Sequence, residues 1–286
     1  MHSNSESLQY TNKSLHFKVN KLKIDQPIIM GILNVTPDSF FDGRNDIREE
    51  DIVQKVNAME YDGAQIIDIG GYSTRPGAAA VSETEELKRV LPIVQLIQAN
   101  FKGLEISIDT FRSSVAKKCV EAGATLINDI SGGSLDKNMF SCVADLKVPY
   151  ILMHLQGSPQ TMQDHPTYTN VVEEIKQYFE EKINQLNQLG VNDIILDPGF
   201  GFGKTVEHNY EILSNLDAFK TFGLPILAGV SRKSMINKVL NTTPEEALNG
   251  TTVLNTIALT KGAQILRVHD VREANECVKL QAKISR

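Results

Sequence analysis

The sequence predicts an α/β protein, a single-domain (β/α)8 barrel with a short N-terminal β-hairpin. Three observations predict the barrel. From Pro27 onward a short apolar run, a polar loop and a longer amphipathic segment recur at intervals of roughly 30 to 40 residues, as βα units require. The apolar runs number eight. Polar residues suited to chemistry follow the runs all round the sequence, whereas an open doubly wound sheet, which shares the alternation, would gather them at one switch point.

The elements follow in order. Residues 1–14 are polar, lack an apolar run of signal-peptide type, and are expected to form a frayed tail, leaving 15–286 as the barrel domain. Residues 16–24 alternate like a small hairpin and are expected to cap the barrel bottom. The eight runs are 28–33, 65–69, 104–108, 125–127, 148–153, 193–196, 224–230 and 264–268. Segments such as 81–100 and 169–189 carry apolar residues at steps of three and four with charges opposite, which predicts crossover helices. Gly63, Gly123, Gly190 and Gly262 each stand between a helical segment and the next run, where a left-handed glycine ends a helix.

Composition excludes several classes of function. Of 286 residues, 41% are hydrophobic and 22% charged, ordinary for a globular protein. The net charge of −6, from 29 basic and 35 acidic residues, disfavours non-specific binding to nucleic acid or an anionic membrane. No uninterrupted apolar stretch of about 18 residues is present, so no membrane span is expected. Cys119, Cys142 and Cys277 are odd in number and widely spaced, which argues against a disulfide framework or cysteine metal cluster and suits a cytoplasmic location.

The run exits carry the chemistry. Asn34 directly follows the first run, where its amide oxygen can serve as a neutral ligand for Mg²⁺. The second run opens into GGYSTRPG (70–77), rich in glycine and hydrogen-bonding groups, in the manner of a lid. Asp109, Asn128 with Asp129, and Asp197 follow the third, fourth and sixth runs. Taken singly each acid reads as a helix N-cap. Together, at a common depth, they form acceptors for a ligand edge bearing adjacent N–H donors, such as a 2-amino-4-oxopyrimidine ring. The glycine-alternating stretch 197–204 matches neither the Walker nor the dinucleotide pattern and is expected to hold Phe202 against a planar ligand. Ser231-Arg232-Lys233 and Arg267, His269 and Asp270 place basic groups after the last two runs, where phosphates commonly bind in this fold, although such a pair can also be a salt bridge. Met153 and His154 suit packing or ligand contact equally.

These motifs resemble one family, the dihydropteroate synthases of folate biosynthesis, which are TIM barrels. The resemblance runs from about Pro27 to Asn275 through MGILNVTPDSF (30–40), STRPG (73–77), IDT (108–110), INDISG (127–132), Met153-His154, DPGFGFGK (197–204), SRK (231–233) and RVHD (267–270). It implies condensation of 6-hydroxymethyl-7,8-dihydropterin diphosphate with p-aminobenzoate, with Mg²⁺ as cofactor and a homodimer formed through the barrel helices. It also implies that Asp109, Asn128, Asp197 and Lys233 hold the pterin, with Met153 packed on its ring. Arg267, His269 and, through Mg²⁺, Asn34 would hold the diphosphate, with Thr74 among the pterin diphosphate ligands as well as on the arylamine side. Phe40, Ser73, Thr74, Arg75, Pro76, Phe202 and Ser231 would form the aminobenzoate side, where sulfonamides compete. Asp109 and Asp197 would stabilise a pterin cation, and Asp42 would help order the closed loops.

On this reading the mouth divides into an acidic pterin side and a basic diphosphate side. Two departures stand out: Tyr72 replaces the Glu of many members, and the first loop (41–44) lacks their doubled glycine. Alternatives are a methyltetrahydrofolate-dependent methyltransferase, which would have no use for the diphosphate ligands, and a non-catalytic pterin-binding barrel, which would have lost them.

Overall fold

The computed structural model describes residues 14–16, 21–35, 48–72, 81–158, 161–162, 164 and 166–284. In chain order the elements are β1 (Ser14–His16), β2 (Lys21–Lys23), β3 (Ile28–Asn34), α1 (Glu49–Asp62), β4 (Ile66–Gly70), α2 (Glu83–Asn100), β5 (Glu105–Asp109), α3 (Ser113–Glu121), β6 (Leu126–Asp129) and α4 (Met139–Leu146). There follow β7 (Tyr150–Met153), α5 (Val171–Gln188), β8 (Ile194–Asp197), α6 (Val206–Ser214), β9 (Leu227–Ala228), α7 (Ser234–Leu240), α8 (Leu248–Thr260), β10 (Ile265–Val268) and α9 (Val271–Ile284).

The large sheet is parallel with the order β8-β7-β6-β5-β4-β3-β10-β9. A parallel bridge between Leu196 and Ile226 joins its two ends and brings the barrel to closure. The predicted seventh run is regular over only Leu227–Ala228. The cause is local: Pro225 has no N–H to donate, and pairing persists through its carbonyl, which accepts from Leu196 N at 2.8 Å.

Side chains alternate across each strand with period two, and the two faces bury different cores. The outer face, with Ile29, Ile67, Ile106, Ile127, Leu152 and Leu196, packs beneath the helices. The inner face begins as a separate apolar cluster of Met30, Ile66, Leu126, Ile151, Ile195, Leu227 and Ile265. Leu15 and Ile24, which flank the antiparallel β1–β2 pairing, belong to that inner cluster and close the N-terminal end of the barrel. Each such side chain, fully buried, stabilises the fold by about 1.5–3 kcal/mol.

The helices begin and end on local signals. Ser82 accepts from Glu85 N at the start of α2, and Asn170 accepts from Glu173 N at the start of α5. Gly63 ends α1 at φ +107°, in the left-handed region predicted for it.

Candidate active site

Two residues above the inner apolar cluster the same barrel face turns polar. Ile66 is followed by Asp68, Leu126 by Asn128, Ile195 by Asp197 and Ile265 by Arg267. Strand register aligns Asn34, Gly70, Asp109 and Asn128 in one continuous row across β3 to β6. Met153 stands beside Asp197 across β7 and β8. Asn34 Oδ1 and Asp109 Oδ2 flank Gly70, at 3.4 and 3.7 Å from the position a Cβ would take there.

Asp129, adjacent in sequence to Asn128, faces the other way. Its carboxylate accepts from Ser131 N, Ser131 Oγ, Gly133 N and Tyr150 Oη, all at 2.7–2.8 Å, and so ties the β6 exit to β7 from outside the barrel.

The charges in the interior are interleaved. Arg267 donates from Nε to Asp68 Oδ2 at 2.7 Å and from Nη2 to Asp109 Oδ2 at 2.8 Å. Asn128 Nδ2 donates to the same Asp68 oxygen at 3.0 Å. The expected separation into acidic and basic sides therefore fails at Arg267, whose guanidinium closes on two carboxylates inside the acidic row. Burial raises the Asp109 carboxyl to about 7, against the attraction of Arg267 and with repulsion from Asp68 adding to it. Burial also raises Asp197, opposed chiefly by Lys233. For Arg267 burial acts to lower the pKa, but Asp68 and Asp109 carry it above the ordinary value, so it stays cationic.

Lys233 sits beside the turn that follows β8. Its Nζ donates to the Phe200 carbonyl and stands 4.7 Å from the centre of the Phe202 ring. Burial lowers it to about 8 even with Asp197 nearby. Phe202, expected against a planar ligand, thus presents its ring to the Lys233 ammonium.

The last two loops lock together. Ser231 Oγ lies 3.1 Å from His269 Nδ1 and accepts from His269 N at 3.2 Å. Arg232, at φ +56°, donates to both Asp270 oxygens at 2.9 and 2.6 Å. The salt bridge considered for this pair of motifs is that one, a strut between loops, while Lys233 and Arg267 face the barrel mouth and His269 stands on Ser231.

The structure thus brings together Asn34, Asp109, Asn128, Met153, Asp197, Lys233 and Arg267, with Ser231, His269 and Phe202 above them. Phe40, Asp42, Ser73, Thr74, Arg75 and Pro76 lie outside the described residues, as do residues 1–13. His154, buried, contacts Lys204 and has a packing role, with burial lowering its imidazole to about 2. Two fully buried acids carry no signal at the end of an apolar run. Asp68 lies within an apolar run, and that position was its signal, because an acid on the inner face of a barrel strand must meet a partner. Glu86, on α2, accepts from Thr110 Oγ1 at 2.6 Å and pairs with Arg112. Arg112 in turn donates to the Val81 carbonyl at 2.7 Å and covers the Tyr72 ring at 5.4 Å. Among the described residues no group of three His, Cys, Asp or Glu forms a metal cage.

An inner rim of this kind, on a barrel of this kind, defines a pterin-binding enzyme. The family profile described as pterin binding enzyme matches residues 30–269. The chain is 46% identical to the dihydropteroate synthase of Escherichia coli K12 over 261 residues, which is 91% of this chain and 92% of that one. Among solved structures it resembles the Yersinia pestis dihydropteroate synthase in complex with a sulfonamide drug, with a TM-score of 0.90, 42% identity and coverage of 96% of this chain and 100% of that one. It also resembles the Xanthomonas albilineans dihydropteroate synthase with 4-aminobenzoic acid, with a TM-score of 0.89, 37% identity and coverage of 96% and 98%. The chain belongs to the dihydropteroate synthase family.

Proposed function

We infer that this chain condenses 6-hydroxymethyl-7,8-dihydropterin diphosphate with p-aminobenzoate, releasing 7,8-dihydropteroate and pyrophosphate. The observation that carries the reading is the acceptor row of Asp109 and Asn128 with Asp197 across the mouth, because a pterin edge offers the N–H donors such a row requires. Lys233 donates to the ring, and Met153 packs on it. Asp109 and Asp197 stabilise the positive charge that develops on the pterin as the methylene C–O bond breaks. The arylamine nitrogen then forms the C–N bond and its proton passes to solvent. His269, Ser231 and Arg267 take the departing diphosphate. The family resemblance supports assigning Phe40, Ser73, Thr74, Arg75, Pro76, Phe202 and Ser231 to the aminobenzoate side, Thr74 also to the diphosphate, and Asp42 to the ordering of the first loop in the reaction. Sulfonamides compete on the aminobenzoate side.

Mg²⁺ fits the residues present as an ion shared with substrate. Asn34 offers one hard oxygen beside the Asp109 carboxylate, and Mg²⁺ commonly takes one or two protein oxygens, phosphate oxygens and water. Bound there, it would neutralise charge on the leaving diphosphate.

The helices α7, α8 and α9 leave Val239, Leu240, Val253, Ile257, Leu280 and Ile284 exposed, which supports a homodimer through this side of the barrel. No described helix is long and apolar enough to cross a membrane, and the three cysteines are unpaired, which suits the cytoplasm. The test is pyrophosphate release. It is expected only when the pterin diphosphate, p-aminobenzoate and Mg²⁺ are all present, and equal release without the arylamine would mean hydrolysis instead.

A further inference from the structure

Beneath the turn that follows β8 lies a buried lysine to which the proposed reaction gives no part. Lys204 is 3% exposed. Its Nζ lies 3.0 Å from His154 Nδ1 and donates to the carbonyls of Phe202 at 2.9 Å, Gly199 at 3.0 Å and His154 at 3.3 Å. One ammonium therefore ties the β7 exit to two points of the turn after β8. That turn follows a path that only glycine permits at two positions. Gly199 and Gly203 have φ of +71° and +61°, and a Cβ on either would meet a backbone carbonyl, that of His154 at 2.0 Å or of Gln156 at 2.5 Å.

Other groups of the turn meet Lys233. Lys233 is seated on it, with Nζ on the Phe200 carbonyl and beside the Phe202 ring. Gly201 completes the seat, since a Cβ there would come within 3.3 Å of Lys233 Cδ. The same turn fixes the neighbouring acid, for Gly199 N donates to Asp197 Oδ1 at 2.8 Å. The backbone that positions Lys233 and Asp197 is thus the backbone that Lys204 gathers.

We propose that Lys204 is a positioning residue, which shapes the 199–203 turn into the seat of the Lys233 ammonium and so acts on pterin binding through Lys233. The inference rests on the reading of Lys233 as a pterin ligand. The electrostatics agree with it: burial lowers Lys204 to about 7, with Asp197 acting to raise it and Lys233 to lower it, so the three groups share one field.

A double-mutant cycle tests this, read as the dissociation constant of 6-hydroxymethylpterin in the full chain. Lys204→Met should weaken binding about tenfold when Lys233 is present and less than about twofold in the Lys233→Met background, the non-additivity expected of residues that act as a unit. A loss equal in both backgrounds would show that Lys204 only supports the fold, and would overturn the proposal. Lys233→Met binding as tightly as the parent would instead remove the reading of Lys233, and the inference with it. If Lys204→Met does not fold, Tyr168→Phe enters the same cycle, because it deletes only the hydroxyl that donates to the Gly203 carbonyl at 2.8 Å on the same turn. A smaller loss that again vanishes without Lys233 supports the proposal, and no loss counts against it.

Discussion

The lower and upper layers of the barrel interior lie two residues apart on the same strands and have opposite chemistry. Below, Ile66, Leu126, Ile195 and Ile265 form a dry apolar cluster. Above them Asp68, Asn128 and Arg267 form a hydrogen-bonded network with Asp109, and Asp197 is buried on the same face. The lower layer stabilises the barrel by removing surface from water, and nothing in it can bind a polar ring. The upper layer places ionisable groups where burial disfavours their charge, a cost that a site can carry only because the layer beneath is closed and rigid. Changes in the lower layer should therefore fall on stability alone, whereas changes in the upper layer should also reach binding and turnover.

The largest expected effect is at Asp109. Asp109→Asn should lower kcat/KM for the pterin diphosphate by about 100- to 1,000-fold, comparable to the loss of one group that stabilises transition-state charge. Its stability should move the other way. The unfolded carboxyl has a pKa near 3.8 and the folded one about 7. Between those values the folded chain keeps a proton that the unfolded chain releases, so stability falls as pH rises through the window, and the penalty is complete above about 7. Thermal unfolding followed against pH should show Asp109→Asn gaining on the parent across that window and holding a constant lead above it.

Next comes Arg267→Ala, which strips the counter-charge from Asp68 and Asp109. It should destabilise the fold by about 3–5 kcal/mol in denaturant titration, as when a buried pair loses one partner. Because the guanidinium braces the acidic row, the folded variant should lose affinity for free pterin as well as for the diphosphate. A loss confined to the diphosphate would restore the simple division of the mouth into an acidic and a basic half.

Ile195→Ala, in the lower layer, should cost about 2–5 kcal/mol through the cavity it leaves. Its kcat/KM below the unfolding transition should stay within about threefold of the parent if the two layers act independently. The smallest effect is expected at Asp129, on the outer face. Asp129→Asn should cost about 1–3 kcal/mol, since four donors lose half their acceptor, and leave pterin affinity unchanged.

How much of this could be read in the sequence follows from the same geometry. The repeat of apolar run and amphipathic segment gave the barrel, because period two and period 3.6 leave separate traces. Asp109, Asn128 and Asp197 were legible because each ends an apolar run. Asp68 was not, because it sits inside one, and only the strand order, which sets β4 and β10 on either side of β3, shows that its side chain meets Arg267. That Arg267 also pairs with two carboxylates was not legible, because charge order along the chain cannot show that strands far apart in sequence bring these groups together. The pair Asn128 and Asp129 marks the limit: neighbours of similar polarity take opposite faces, and register alone assigns one to the site and the other to the scaffold.

Where the pterin ring sits decides the role of the buried polar layer. A crystal structure of the chain with 6-hydroxymethylpterin bound should show the 2-amino-4-oxo edge within hydrogen-bonding distance of Asp109, Asn128 and Asp197, with Lys233 donating to the ring and Met153 against its face. A ring bound elsewhere, or one in the mouth that leaves Asp109 and Asp197 without a ligand contact, would contradict it.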